Sequence, residues 1–316
     1  MKINYRKAFI CGIKGLKLNN KEISFLKKYK PWGIILFSRN IKNINQTKLL
    51  ISNIKKIFND TNYPVIIDEE GGSVSRLKNL IDNSIFTAEY FGKLFTKDRK
   101  KFKIYFNVYI KQISHIFKNL GININSVPVL DLRRKITSKV IGNRSYSYNY
   151  LNISKIGNYC ISYFKNHKIG TIMKHIPGHG LAKHDSHKIV PLVKNPLNEL
   201  KKDFYVFKKK DTFFAMTAHV VYTHIDPLNT ATHSKKVINL IRNKIKFKNI
   251  IISDDISMKA LKYSISINTV KAFSAGCNIV LHCNGNMKEM LEVAKNSPSV
   301  DKFIIKKTLN FINMVS

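Results

Sequence analysis

The chain has 316 residues, of which 44% are hydrophobic and 23% charged, a composition typical of a globular protein rather than a disordered one. No apolar run approaches the roughly 20 residues that a membrane-spanning helix needs, so no membrane partner is expected. The formal net charge is +36. The lysines are scattered over the whole sequence and the longest run, Lys208 to Lys210, is short, so we interpret most of this charge as solvated surface.

The cysteines and the N-terminal segment indicate the compartment. Cys11, Cys160, Cys277 and Cys283 form no CxxC pair, which is typical of reduced thiols in a cytosolic protein and argues against a structural zinc site. The segment MKINYRKAFICGIKGLKL has only a short apolar core, broken by Gly12, Lys14 and Gly15, and is interpreted as a first strand rather than a signal peptide. We therefore expect a cytoplasmic protein.

Short apolar, β-rich segments alternate with amphipathic ones along the chain. The predicted strands, bounded by Gly, Pro or Asn as buried parallel strands are, span residues 8–13, 33–37, 65–67, 127–130, 171–173, 213–216, 250–252 and 279–281. Helices are predicted at 44–58, 102–120, 151–164, 199–209 and 235–243, and residues 77–101 are irregular. Eight such units predict an α/β fold, a single (β/α)8 TIM-like barrel, forming one domain over residues 1–316.

Reactive polar residues follow five of these strands. They are Asp68, Glu69 and Glu70, then Asp131, then Lys174 and His175, then His219, and finally Asp254 and Asp255. In a barrel, these positions open onto the one face that carries active sites. A single charged residue after a strand can simply begin a loop. However, six of only 19 acidic residues fall in this set, so the sequence predicts a site there.

A histidine-rich segment follows the fifth strand, with four histidines between His175 and His187. His175 and His179 have the spacing of a helical zinc motif, but Pro177 and Gly178 between them make a helix improbable, and no HExxH pattern occurs. The glycines do not have the spacing of a nucleotide-binding loop either. We expect neither a metal nor a cofactor.

Several segments together resemble a known family. They are GIILFSRN (33–40), PVIIDEEGGSVSRL (64–77), GININSVPVLDL (121–132), IGNRSYS (141–147), KHIPGHG (174–180) with DSH (185–187), AMTAHVVY (215–222), SDDISMKAL (253–261) and AGCNIVLHCNG (275–285). In this order they resemble the family 3 glycoside hydrolases, specifically the NagZ-type bacterial β-N-acetylhexosaminidases. The resemblance runs from about residue 8 to residue 290.

The resemblance implies a role for each matching residue. Asp254 would be the nucleophile, and His187 the general acid/base, oriented by Asp185. A histidine suits this role because its unperturbed pKa lies near neutrality. His219 would be a pocket neighbour, and Asp255 is expected to turn away into the barrel wall. The residues that would hold the terminal sugar are Asp68, Arg76, Arg144, Lys174 and His175.

The implied activity is that of a retaining exo-β-N-acetylglucosaminidase acting through a covalent glycosyl-enzyme. Its carbohydrate substrate would be a muropeptide, GlcNAc-anhydroMurNAc in peptidoglycan recycling, or a chitobiose-like sugar, and the chain would act as a monomer. The chain differs at three positions from residues that are common in the family: Ser73 replaces Arg, Asn143 replaces an acidic residue and Ile176 replaces Phe. None of the three has a proposed catalytic role, so activity is expected.

Two alternatives belong to other classes of protein. A β-N-acetylglucosaminide phosphorylase could use the same His/Asp dyad, because a neutral histidine would not repel incoming phosphate. A basic nucleic-acid-binding protein would account for the net charge, but not for acids concentrated at strand ends, which repel phosphates. No specific nucleic-acid partner is therefore expected.

Overall fold

A computed structural model describes residues 3–183 and 189–316. Within these residues, eight parallel strands close into a barrel. In their order around the ring, the barrel strands are β1 (Lys7–Gly12), β2 (Pro31–Leu36), β3 (Val65–Ile67), β4 (Ile124–Asn125), β5 (Gly170–Ile176), β7 (Phe214–Thr217), β9 (Ile250–Asp255) and β10 (Ile279–His282). Two short strands, β6 (Leu192–Val193) and β8 (Val221–Tyr222), pair outside the barrel. The predicted α/β barrel is confirmed.

Helices connect the strands around the barrel. They are α1 (Asn20–Tyr29), α2 (Ile44–Phe58), α3 (Ala88–Lys97), α4 (Arg99–Leu120), α5 (Tyr150–Asn166), α6 (Leu197–Tyr205), α7 (Lys235–Leu240), α8 (Ile265–Ala275), α9 (Met287–Asn296) and α10 (Lys302–Val315). Most begin at a residue whose side chain accepts a backbone N–H of the first turn, such as Asn43 before α2 and Asp98 before α4. Among the described residues, no helix is both long and apolar enough to span a membrane.

Alternate strand residues contribute to two apolar clusters, as the period of a strand requires. In β9, Ile250 and Ile252 belong to one cluster, whereas Ile251 belongs to the cluster shared with the surrounding helices. Helix α10 joins the first cluster: the Phe311 ring lies 5.3 Å from that of Phe214, and Trp32 Nε1 donates to Thr308 Oγ1 at 2.9 Å. These contacts are made at the starts of strands, which leaves their carboxyl ends for the site.

Two predictions of secondary structure were wrong. The fourth strand is Ile124–Asn125, not 127–130, because Pro128 has no N–H for the ladder; beyond it only Val129 makes an isolated bridge to Lys174. The segment 77–101, predicted as irregular, contains α3. Thr87 caps this helix, and Phe91 and Phe95 form its buried face. Gly92, which lowers helix propensity, hid this pattern.

The position of Gly92 explains why glycine is required in α3 and generates a test. A Cβ added at residue 92 would overlap the carbonyl oxygen of Tyr146. An alanine in a helix interior normally stabilises a protein relative to glycine. We expect Gly92→Ala to have the opposite sign and to lower the free energy of unfolding by about 1–3 kcal/mol, the usual cost of overpacking.

Urea denaturation of wild type and variant measures this difference. Gly15→Ala is the matched control, since no atom lies within 4 Å of a Cβ there, and it should change the free energy of unfolding by less than about 0.5 kcal/mol. An equally stable Gly92→Ala protein would show that α3 does not pack on Tyr146 as described.

Candidate active site

A cavity of about 350 Å³ opens at the carboxyl ends of the barrel strands. It brings together six residues that the sequence analysis placed in the site, from four separate segments of the chain: Asp68, Arg76, Arg144, Lys174, His175 and Asp254. Glu70 and His179 line the same cavity, as do the apolar side chains of Met216 and Leu281. Asp185 and His187 lie outside the described residues.

The charged side chains of the cavity form a buried ion-pair network around Lys174. Its ammonium lies 3.0 Å from Asp68 Oδ1, 2.7 Å from Glu70 Oε1 and 3.1 Å from Ser126 Oγ. Arg144 binds Glu70 through two parallel hydrogen bonds of 2.7 and 2.9 Å. Arg76 Nη2 lies 3.7 Å from Asp68 Oδ2. Two carboxylates and three cations thus share one wall of the cavity.

The network keeps its members charged. Burial raises the pKa of Glu70, but Arg144 and Lys174 outweigh it and hold this pKa far below its ordinary value. Burial also raises the pKa of Asp68, and here Lys174 and Arg76 bring it below the ordinary range. In turn, burial lowers the pKa of Lys174, while Asp68 and Glu70 raise it above its usual value. The wall therefore offers fixed charges to a ligand.

Glu69 follows the same strand but does not line the cavity. Its Oε2 accepts the backbone N–H of Arg76 at 2.7 Å and of Leu77 at 3.0 Å, and its Oε1 accepts the side-chain amide of Asn83 at 3.1 Å. The loop can fold back in this way because Gly71 has a φ of +80° and a Cβ there would overlap the carbonyl oxygen of Phe86. Glu69 is thus a loop-organising residue that places Arg76.

Asp131 organises the turn after β5. This fully buried carboxylate accepts His175 Nδ1 at 2.6 Å and the backbone N–H of His179 at 2.7 Å. Burial raises its pKa, but His175 and His179 bring it below the ordinary value. Because an ionised Asp131 accepts from Nδ1, a neutral His175 ring carries Nε2 as a hydrogen-bond acceptor.

Asp254 lies at the end of β9 on the cavity wall. Its Oδ1 accepts the backbone N–H of Asp255 at 2.8 Å. Burial raises the pKa of Asp254, but the neighbouring His219 and His175, that N–H group and Lys174 together hold it below its ordinary value. An ionised carboxylate therefore faces the same cavity as the ion-pair network.

Asp255, the second acid of the SDD motif, turns away from this cavity, as expected. Its carboxylate accepts Ser257 Oγ at 2.8 Å and the backbone N–H of Cys283 at 3.2 Å. These bonds tie the loop after β9 to the end of β10. The second negative charge of the motif is thus bound within the protein and does not line the cavity.

His219, predicted as a pocket neighbour, is fully buried behind the cavity wall and is not among the residues that line it. Its Nδ1 lies 2.7 Å from Thr232 Oγ1 and its Nε2 2.9 Å from the backbone oxygen of Asp255. Burial lowers its pKa. With both nitrogens bonded to the protein, His219 supports the loop that carries Asp254 instead of presenting a nitrogen to the cavity.

Three residues received no role from the sequence: Glu70, Asp131 and His179. Glu70 and Asp131 were in the set of strand-end acids, and His179 was in the histidine-rich segment. The signal was therefore present, but an acid that faces the cavity, such as Glu70, and one that braces a loop, such as Glu69, are adjacent and identical in type. Only the path of the loop separates them.

The network predicts a pH-dependent effect of Glu70→Gln. Removing one member of a buried ion pair leaves uncompensated cations and should lower the free energy of unfolding by about 3–5 kcal/mol at pH 7. The folded-state pKa of Glu70 lies below that of an unfolded glutamate, about 4.3. Its stabilisation is therefore present above that value and is lost as the pH falls toward the folded-state pKa.

Urea denaturation across a pH series tests this effect. The difference in the free energy of unfolding between wild type and Glu70→Gln should become smaller as the pH falls below about 4. Glu89→Gln is the control, because the ion pairs of Glu89 with Lys93 and Arg133 are partly exposed, and it should cost less than about 1 kcal/mol. A gap that is small at pH 7, or constant with pH, would contradict the described network.

Comparisons with known proteins identify the family to which this barrel belongs. Residues 6–309 match the family described as Glycosyl hydrolase family 3 N terminal domain. A beta-hexosaminidase of Haemophilus ducreyi is 31% identical over 288 residues, which cover 87% of this chain and 80% of the relative. The crystal structure of NagZ from Neisseria gonorrhoeae in complex with N-trifluoroacetyl-D-glucosamine superposes with a TM-score of 0.86 at 27% identity, covering 97% of this chain and 90% of that one.

A second solved structure extends the fold comparison. A family 3 beta-N-acetylglucosaminidase from Paenibacillus sp. has a TM-score of 0.85 at 22% identity, and the match covers all of this chain and 62% of that one. The family match spans nearly the entire sequence, and the motifs, the barrel and the relatives agree. The chain belongs to glycosyl hydrolase family 3, among the NagZ-type β-N-acetylhexosaminidases.

Proposed function

We propose that the chain is a retaining exo-β-N-acetylglucosaminidase in which Asp254 is the nucleophile and His187, oriented by Asp185, is the general acid/base. One observation carries the proposal: the ionised Asp254 shares a cavity of about 350 Å³ with the cations and carboxylates suited to hold a sugar. The NagZ structure with N-trifluoroacetyl-D-glucosamine supports a glucosamine-type ligand for this cavity.

In the first step of this reaction, an Asp254 oxygen attacks the anomeric carbon while the bond to the leaving oxygen breaks. The protonated His187 gives its proton to that oxygen, and the sugar remains as an ester of Asp254. In the second step, neutral His187 takes a proton from water, the resulting nucleophile attacks the anomeric carbon, and Asp254 leaves as a carboxylate. Two inversions give net retention of configuration.

The ion-pair network suits the binding of the terminal sugar. Asp68 accepts hydroxyl protons, whereas Arg76, Arg144 and Lys174 donate to hydroxyl oxygens. Together they recognise the positions and the hydrogen-bond directions of the sugar hydroxyls. The supporting bonds of Glu69 and Glu70 hold these groups in place before the substrate arrives.

We further propose that the natural substrate is a muropeptide such as GlcNAc-anhydroMurNAc, in cytoplasmic peptidoglycan recycling, with the chain acting as a monomer. The kinship with NagZ-type enzymes supports this assignment. Lys139, which is exposed and lines the cavity, would complement a carboxylate on the leaving group.

The role of Asp254 is tested by Asp254→Ala. Loss of a covalent nucleophile should lower the release of 4-nitrophenol from 4-nitrophenyl β-N-acetylglucosaminide, and of GlcNAc from GlcNAc-anhydroMurNAc, by about 10⁴-fold or more. Added azide should restore part of the turnover and give the α-glycosyl azide, because a small anion can attack from the vacated face.

Asp211→Ala, at an exposed acid, is the control and should keep full activity. Near-normal turnover by Asp254→Ala would refute the assignment of the nucleophile. A phosphate-dependent rate that yields N-acetylglucosamine 1-phosphate would instead establish phosphorolysis.

The role of His187 is tested by comparing the effect of His187→Ala on substrates with poor and with good leaving groups. His187→Ala should lower kcat/KM, which reports the first step alone, about 10²–10⁴-fold with poor leaving groups, which need a proton. The loss should be much smaller for 2,4-dinitrophenyl β-N-acetylglucosaminide, whose leaving group departs as an anion. His184→Ala, at a histidine with no proposed role, should behave as wild type. An equal loss for both kinds of substrate would contradict acid catalysis by His187.

A further inference from the structure

His179 is a buried polar residue of the cavity for which the proposed mechanism has no use. Its side chain lines the cavity, and the residue is only 3% exposed. Neither ring nitrogen has a hydrogen-bond partner among the described residues. Most buried polar side chains are paired, because an unpaired one has given up its bonds to water without replacement. A buried imidazole with two unused nitrogens therefore needs a partner.

The backbone holds this ring in a fixed place. The N–H of His179 donates to Asp131 Oδ1 at 2.7 Å, and its carbonyl accepts the N–H of Ala182 at 3.1 Å. The Tyr222 hydroxyl donates to the carbonyl oxygen of Gly178, directly before it. Gly180, directly after it, lies against the backbone of Leu132, where a Cβ would overlap the Leu132 oxygen. The turn is thus tied down on both sides of the imidazole.

His179 also stands beside the groups proposed to act on the sugar. Its ring lies 6.1 Å, between centroids, from that of His175, at an interplanar angle of 65°. Both histidines form hydrogen bonds with Asp131, His175 through its ring and His179 through its backbone N–H. The bond to Asp131 occupies one nitrogen of His175, whereas neither nitrogen of His179 has a partner within residues 3–183 and 189–316.

The protonation state of His179 defines what it can bind. Burial lowers its pKa to about 4, against the opposing effect of Asp131. At neutral pH the ring is therefore uncharged, with one N–H donor and one acceptor nitrogen. A neutral donor–acceptor pair suits a hydroxyl group or an amide, each of which can both donate and accept, and it suits an anion poorly.

We propose that His179 is a further substrate-binding residue, whose ring hydrogen-bonds an uncharged polar substituent of the terminal sugar, a hydroxyl or the 2-acetamido amide. This inference rests on the proposed function, since it assumes that the cavity holds the terminal N-acetylglucosamine. It differs from the roles proposed for Asp254 and His187, because His179 takes no part in proton transfer or bond formation.

The test compares His179→Leu with His179→Gln. Leucine is similar in size but cannot hydrogen-bond, so the affinity for free N-acetylglucosamine, measured by calorimetry, should fall about three- to tenfold, the equivalent of one neutral hydrogen bond. Glutamine keeps a neutral donor and acceptor and should recover part of this affinity. The thermal midpoint of His179→Leu should not fall, because the change removes an unpaired polar group from the interior.

Substrate analogues identify the bonded substituent. Binding of the 3-, 4- and 6-deoxy analogues of N-acetylglucosamine, and of glucose, is measured with wild type and His179→Leu. The analogue that lacks the partner of His179 should bind both proteins equally, as the closing term of a double-mutant cycle. His115→Ala, at an exposed histidine on α4, is the control and should bind every ligand as wild type does.

Three results would overturn the inference while leaving the proposed function intact. The first is hydrolysis and N-acetylglucosamine affinity in His179→Leu equal to wild type. The second is a lower thermal midpoint in both variants, and the third is a lower turnover with unchanged affinity; either would assign the ring a structural or loop-positioning role. A wild-type protein that neither binds nor hydrolyses N-acetylglucosaminides would overturn both proposals.

Discussion

The site depends on one buried interaction, the ammonium of Lys174 held between the carboxylates of Asp68 and Glu70. Lys174 belongs to β5, whereas both acids follow β3, so this contact joins the ends of two strands that are separated by β4 in the barrel. Taking three charges out of water is costly unless each finds a partner of opposite sign. Arg144 and Arg76 supply the remaining partners. The same arrangement that makes burial of these charges tolerable leaves them fixed and oriented toward a ligand.

Around this network, the protein separates groups that face the cavity from groups that hold them. Asp254 faces the cavity, whereas Asp255 binds Ser257 and the backbone of Cys283. The same division of roles applies to His175 and Asp131. In each pair, one residue lines the cavity and the other makes its bonds within the protein. Such support matters because a catalytic group displaced by about 1 Å can lose much of its effect.

Much of this arrangement could be predicted from the sequence. The eight strands and the position of the site follow from apolar segments that end in acids or histidines, because parallel strands in a barrel place their carboxyl ends on one face. The sequence could not show that Glu70 faces the cavity and Glu69 does not, since that depends on how Gly71 and Gly72 turn the loop. The fourth strand was predicted at 127–130, a few residues after its position in the structure, because this apolar run is a loop interrupted by Pro128. Helix α3 was missed because Gly92, required by close packing on Tyr146, has low helix propensity.

The central claim is that the carboxylate of Asp254 attacks the anomeric carbon and becomes covalently bound to the sugar. The most direct measurement is peptide mass spectrometry after incubation with a slowly hydrolysed, fluorinated N-acetylglucosaminide that lets the intermediate accumulate. We predict one added sugar per chain, carried by the peptide that contains Asp254. A label on any other residue, or continued hydrolysis without a trapped intermediate, would contradict the account.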